Sequence, residues 1–146
     1  MVEIRPLTAG DREAWTPLWR DYLAYYDTEL PEQIYATSFA KMTDPGVTDY
    51  HGFLAWDGDN AVGLVHYIYH THGWKLSPVC YLQDLYAVPQ SRGTGLGRKL
   101  IEAVYEAADR DGAASVYWLT QDFNETARRL YDRIGRLSPF IKYDRR

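Results

Sequence analysis

Apolar and polar positions change period several times along the chain, and each change marks an element. Val2 to Arg5 alternates, the signature of a short strand. Thr8 and Asp11 stand at capping-box spacing. Trp15, Leu18, Trp19, Tyr22, Leu23 and Tyr26 then recur at helical spacing, with Pro17 marking the first turn or a kink. Pro31 opens a second helix with Ile34, Phe39 and Met42 on its inner face, closed before Pro45-Gly46. Gly52 to Trp56 and Ala61 to Tyr69 predict two strands joined through the hairpin turn Asp57-Gly58-Asp59-Asn60.

After a loop from His70 to Pro78, residues 79–88 form an apolar, aromatic-rich strand that Pro89 ends. Leu96, Leu100, Ile101, Val104, Ala107 and Ala108 make one apolar stripe, so residues 96–110 predict a helix, ended by Gly112. Ser115 to Gln121 is β-rich and predicts a central strand packed on both faces. Strand, helix and strand in that order are a crossover, so the two strands should be parallel neighbours. Asn124 caps a last helix with Leu130 and Ile134 inward, Gly135 ends it, and Phe140 to Asp144 predicts a final strand. No linker or repeat divides the chain, and residues 1–146 are expected to form one α+β domain on a mixed sheet.

Composition narrows the field. With 146 residues, 46% hydrophobic and 25% charged, the chain can bury a real core. Its net charge of -4 weighs against nucleic-acid and membrane-surface partners and permits a cationic ligand. Met1 to Arg5 lacks a signal-peptide core, and the single cysteine, Cys80, has no internal partner, so a cytoplasmic protein is expected. Cys80 lies in an apolar run and reads as a small buried hydrophobe. His70 and His72 have no carboxylate or cysteine beside them at ligand spacing, so no metal is expected. The 13 Tyr and 5 Trp stand out, because aromatic faces hold cations as well as pack cores.

The stretch that carries chemistry is Gln90-Ser91-Arg92-Gly93-Thr94-Gly95-Leu96-Gly97, set between a strand and a helix. Backbone N–H groups there converge, the helix N-terminus adds positive potential, and Arg92 and Arg98 flank the loop, which together suit an anion such as a phosphate. The spacing is not that of a dinucleotide fingerprint, Gly-x-Gly-x-x-Gly, and Gly97-Arg98-Lys99 is not the end of a Walker loop. Asn124 and Tyr131 lie two helical turns apart and can share a face toward the crevice between the parallel strands.

Arg92-Gly93-Thr94-Gly95-Leu96-Gly97 after a buried strand, followed by Asn124-x-x-Ala127-x-x-Leu130-Tyr131-x-x-x-Gly135, resembles the pyrophosphate loop and last motif of the GNAT superfamily of N-acetyltransferases. Within it, His72 to Leu76, Tyr81 to Tyr86 and Tyr117 to Gln121 resemble the polyamine (diamine) acetyltransferase branch. The resemblance implies a mostly antiparallel mixed sheet flanked by helices, with the parallel crossover forming an acetyl-CoA crevice. It implies acetyl-CoA as donor and a primary amine, polyamine-like or amino-acid-like, as acceptor. Leu85, Tyr86, Ala87 and Val88 would line the pantetheine, with Arg92, Gly93, Thr94, Gly95, Leu96, Gly97 and Arg98 on the pyrophosphate and Asn124 and Ala127 nearby. Tyr131 would protonate the leaving thiolate, with Asn124 beside it as part of the catalytic set.

Gln83 stands where many members carry a glutamate, so Asp84 is the nearest ionisable candidate for the amine's proton, or else an anchor for its charge. A bulge in 85–88 would free a backbone N–H for the oxyanion, and alternation puts Gln83 and Asp84 on opposite faces unless a bulge separates them. Trp74, Tyr25, Tyr26, Asp27 and Tyr67, with Gln83 and Asp84, are the side chains expected around the amine. Two other functions fit the same cradle: acetylation of a protein or peptide, and a non-catalytic acyl-CoA-binding regulatory module. Members usually close the sheet with two strands after the last helix, whereas Arg136 to Arg146 suffices for one, so a homodimer pairing or exchanging these segments is expected.

Overall fold

A computed structural model describes residues 1–146. Strands β1 (Val2–Pro6), β2 (Tyr50–Asp57), β3 (Asn60–His70), β4 (Val79–Ala87) and β5 (Val116–Tyr117) form one sheet in the order β1-β2-β3-β4-β5. Neighbours are antiparallel except β4 and β5, which run parallel through Cys80↔Val116 and Tyr81↔Tyr117. Helices α1 (Arg12–Tyr25) and α2 (Glu32–Thr43) cover one face, α3 (Leu96–Arg110) covers the other, and α4 (Glu125–Ile134) packs beside α3. The mixed sheet and the parallel crossover are as the sequence predicts.

Strand alternation sorts the core into two layers. Leu54, Leu64 and Tyr86 meet Trp15, Leu18, Trp19, Leu23, Tyr35, Phe39 and Met42 from α1 and α2. Ala55, Val65, Tyr67, Cys80 and Leu82 meet the stripe Leu96, Leu100, Ile101, Val104, Ala107 and Ala108 of α3. Gly63 lets α3 approach closely: a Cβ there would come within 2.9 Å of the Tyr86 carbonyl and 3.1 Å of Leu100. The Thr8 backbone N–H donates to Asp11 at 2.8 Å and turns the chain into α1, which runs through Pro17.

Three sequence expectations change. Ile34 is exposed and Tyr35 takes the inward place on α2, because the helix starts at Glu32 and its buried stripe is Tyr35, Phe39 and Met42. The strand expected over 115–121 shrinks to Val116–Tyr117 and lies at the sheet edge, since no strand follows β5 in the order. Phe140 to Asp144 forms no strand, because it has no neighbour to complete its hydrogen bonds; Leu137, Phe140, Ile141 and Tyr143 are exposed.

Candidate active site

β4 carries the site because it does three things in nine residues. At its start it pairs with β5. In its middle it bulges: Tyr67 pairs with Leu82 and His66 with Asp84, leaving Gln83 as the extra residue. The bulge therefore lies at 82–84, earlier than the 85–88 expected, and it turns Gln83 and Asp84 to the same side. Asp84 meets Trp19 of α1, and Gln83 lines a cavity of about 480 Å3 with Ser38, Lys41, Asp49 and Tyr50, while Leu82 and Leu85 go to the α3 layer.

Beyond Tyr81 no residue of β4 pairs with β5, so the two strands part. The Val88 N–H donates to Val62 O at 2.9 Å, and alternation then turns the N–H groups of Leu85 and Ala87 away from β3 into the opening. Two outward donors on a free edge can hold an extended chain of amide groups and a carbonyl oxygen. Tyr86 offers that chain no polar group: by the same alternation its N–H and C=O turn toward β3 opposite Leu64, its ring is buried under α1, and the Arg92 guanidinium lies 5.8 Å above that ring.

The glycine loop follows at once. Gly93 and Gly95 adopt φ of 79° and 85°, the left-handed region where a Cβ is strained. The N–H groups of Gly93, Thr94, Gly95, Leu96, Gly97 and Arg98 find no acceptor within the chain, and the first bond into α3 is Lys99 N–H to Gly95 O at 3.1 Å. A run of free donors at the N-terminus of a long helix is what a diphosphate needs, so the loop fits the pyrophosphate of a coenzyme A. Arg92 Nε donates to Ala87 O at 3.2 Å and braces the loop on β4, while Arg98 pairs with Glu102 at 3.4 Å.

Across the opening stands α4. Asn124 caps it by accepting Ala127 N–H on Oδ1 at 3.2 Å, which occupies the Ala127 donor and leaves the Asn124 amide nitrogen free. Tyr131 packs edge-on against Trp118, ring centroids 5.5 Å apart. Burial, and after it the neighbouring Tyr26, push its hydroxyl up from 10.0 to about 12, so it stays protonated at neutral pH.

On the α1 side of β4 lie the only two buried polar residues of the core, His66 at 0% and Asp84 at 6% exposure. Asp84 Oδ2 is 2.8 Å from His66 Nδ1 and accepts from Trp19 Nε1 at 3.3 Å. Trp15 Nε1 donates to the other ring nitrogen of His66 at 2.9 Å. Tyrosines surround the carboxylate: burial first and Asp84 next raise Tyr22 and Tyr50 well above the usual phenol range, while Tyr26 and Tyr81 are raised by burial and further by Tyr25, Tyr117 and Asp84. Tyr26 lies near enough to both Asp84 and Tyr131 to interact electrostatically with each.

Not every expected side chain joins this group. Tyr67 faces α3 instead, stacked on Phe53 and His51, because it neighbours His66 in β3 and alternation sends it to the opposite layer. Trp74 is 86% exposed and touches His72 in the loop before β4, at the far end of that strand from the glycine loop. Tyr25 leans outward on Tyr26, and Asp27 is exposed in a left-handed turn at the end of α1. A cleft of about 870 Å3, lined by Asp44, Asp49, His51, His70 and Asp111 among others, lies by the β3–β4 turn and includes neither Asp84 nor the glycine loop.

Sequence reading missed His66, Trp15, Trp19, Tyr22 and Tyr50 as parts of the site. A signal was there: His66 is a lone polar residue in the middle of one apolar strand, and Asp84, with Gln83, interrupts the apolar run of the next.

Known proteins agree with this geometry. The model of the acetyltransferase (GNAT) family matches residues 12–135. A D-amino-acid N-acetyltransferase of Saccharomyces cerevisiae is 36% identical over 146 residues, covering 99% of this chain and 90% of the yeast protein. A thialysine N-epsilon-acetyltransferase of Mus musculus is 40% identical over 73 residues, 50% of this chain and 41% of that one. An aminoglycoside acetyltransferase, AAC(6')-Iy, solved with a bisubstrate analogue built on coenzyme A, superposes with a TM-score of 0.84 at 19% identity, covering 100% of this chain and 99% of that one. The parted parallel strands, the donor loop before α3 and these likenesses lead to one conclusion: the chain belongs to the GNAT family of N-acetyltransferases, enzymes that take the acetyl group from acetyl-CoA.

Proposed function

We propose that the chain acetylates small primary alkylamines that carry a positive charge, polyamine-like or amino-acid-like, at a pocket formed by Asp84 and the aromatic side chains around it. The observation that carries this reading is the Asp84 carboxylate, buried beside the β4 bulge among Trp19, Tyr22, Tyr26, Tyr50 and Tyr81. A buried carboxylate is costly unless a cation or donors face it, and aromatic faces add about 0.5–2 kcal/mol of attraction for an alkylammonium. The names of the yeast and mouse relatives support a small acceptor carrying an amino group.

Acetyl-CoA, when bound, supplies an acetyl thioester whose carbonyl the amine attacks and whose thiolate leaves. Gly93 to Arg98 hold its diphosphate through their free N–H groups, and the outward N–H of Leu85 or Ala87 steadies the charge that develops on the carbonyl oxygen. Two protons must leave the ammonium nitrogen. Asp84 takes one and passes it to solvent; Tyr131 gives its hydroxyl proton to the departing sulfur, and the second proton, lost from the nitrogen as the amide forms, restores the Tyr131 hydroxyl. Tyr131, held protonated, is suited to that step. Gln83, at the bulge, contacts the acceptor through its amide from the cavity it shares with Lys41 and Tyr50.

A second copy of the chain completes the assembly in this reading: the exposed apolar residues Leu137, Phe140, Ile141 and Tyr143 cover the open edge at β5 of a partner. Thiol release from acetyl-CoA, followed over a panel of diamines, amino acids and lysine-bearing peptides, tests the acceptor. Faster release with small amines than with peptides is the expected result, and release with peptides alone contradicts it.

A further inference from the structure

The His66–Asp84 contact sits in a chain of donors that runs one way. Indole is a donor only, so Trp15 Nε1–H at 2.9 Å obliges His66 Nε2 to accept. The ring proton is then on Nδ1, where it donates to Asp84 Oδ2 at 2.8 Å. A proton on Nε2 would point at the indole N–H. Trp15 and His66 are both fully buried, and Trp15 is wedged against Trp19 and Phe39, so the chain has little freedom to turn. The bonds from His66 and from Trp19 both go to Oδ2, and the Tyr22 hydroxyl also approaches the carboxylate.

We propose that His66, set by Trp15, is a positioning residue for Asp84: it holds Oδ2 and leaves Oδ1 directed at the acceptor amine. This rests on the acceptor reading above. The groups that face Asp84 are Trp19 and Tyr22 from α1, Tyr26 just after its end, Tyr50 from β2, His66 from β3 and Tyr81 from β4; from α2, Tyr35 packs on the Trp19 ring. Of these only His66 can gain positive charge, and only if Nε2 is released from Trp15. Such an imidazolium would compete with the substrate ammonium for the same carboxylate.

The test is the pH profile of kcat/KM for the amine in three variants of the full chain, each checked for folding by circular dichroism. His66→Leu should lower kcat/KM for the amine at least about tenfold while the KM for acetyl-CoA stays within about threefold. His66→Asn, whose side-chain N–H reaches the position of Nδ1–H, should recover most of that loss. Trp15→Phe, which frees Nε2, should move the acid limb to higher pH. The inference fails if His66→Leu and His66→Asn are equally impaired, if neither is impaired, or if Trp15→Phe leaves the limb in place. Should His66→Leu not fold, the Trp15→Phe profile decides alone, a shifted limb supporting the inference and an unmoved one overturning it. A parent chain that transfers no acetyl group overturns the acceptor reading and this inference together, whereas an active parent with unaltered variants overturns this inference only.

Discussion

Tyr26 couples electrostatically to Asp84 on one side and to Tyr131 on the other. That relationship joins two parts of the molecule that the chain order keeps apart, the α1 layer with its buried carboxylate and the α4 helix with its phenol. In the proposed mechanism these two groups are the proton acceptor and the proton donor that acyl transfer from a thioester to an amine requires.

In the proposed mechanism Tyr131 protonates the leaving sulfur. Tyr131→Phe should lower kcat by about 10- to 1000-fold and leave acetyl-CoA affinity nearly unchanged, read by steady-state kinetics and calorimetry. Because burial and Tyr26 raise the hydroxyl to about 12, its ionisation should not limit kcat on the alkaline side below that pH.

The same shift makes a stability prediction. The folded value lies above the ordinary 10.0, so the folded chain holds this proton more tightly than the unfolded chain does. Its contribution is complete below pH 10 and is lost as pH rises toward 12. Cys80, which burial raises from 9.0 to about 12, acts with the same sign and begins to lose its contribution near pH 9. Thermal melts should therefore fall steadily above pH 9, and the fall should be smaller in Cys80→Ala; identical slopes in the two proteins would contradict the linkage.

Gly95 separates strain from ligand exclusion. Its φ of 85° costs any side chain about 1–2 kcal/mol, yet a Cβ there meets nothing within 4 Å. Gly95→Ala should lose that stability and retain most acetyl-CoA binding. Gly95→Glu should fold as well as Gly95→Ala and lose binding, because its carboxylate occupies the ground of the diphosphate. Equal acetyl-CoA affinity in the two variants would contradict the loop assignment.

The apolar residues after α4 predict a homodimer. Light scattering at micromolar concentration should give twice the chain mass, and Phe140→Asp with Ile141→Asp should give the monomer. A monomeric parent contradicts the pairing.

Much of this was legible from residue patterns, for physical reasons. α3 was bounded correctly over 96–110 because a stripe of six buried apolar residues follows a glycine turn that has no alternative use. The cap at Asn124 was visible because its side chain acts on the adjacent N–H of Ala127. What was not legible depended on partners distant in the chain. Phe140 to Tyr143 alternates like a strand, but a strand forms only beside a neighbour. Tyr67 was expected with Asp84, and one position of register sends it to the other layer while His66 takes its place. The bulge at Gln83 shifts that register, and no local pattern in Tyr81 to Tyr86 marks where it falls.

The central claim is that Asp84 receives a small cationic amine next to acetyl-CoA. The most direct measurement is thiol release from acetyl-CoA by the parent and by Asp84→Asn, which keeps the shape of the side chain and removes its charge. The parent should turn over with small alkylamines, and Asp84→Asn should lose about 100-fold or more in kcat/KM for the amine at unchanged acetyl-CoA affinity. No release with any small amine by the parent, or parent-like turnover by Asp84→Asn, would contradict the account.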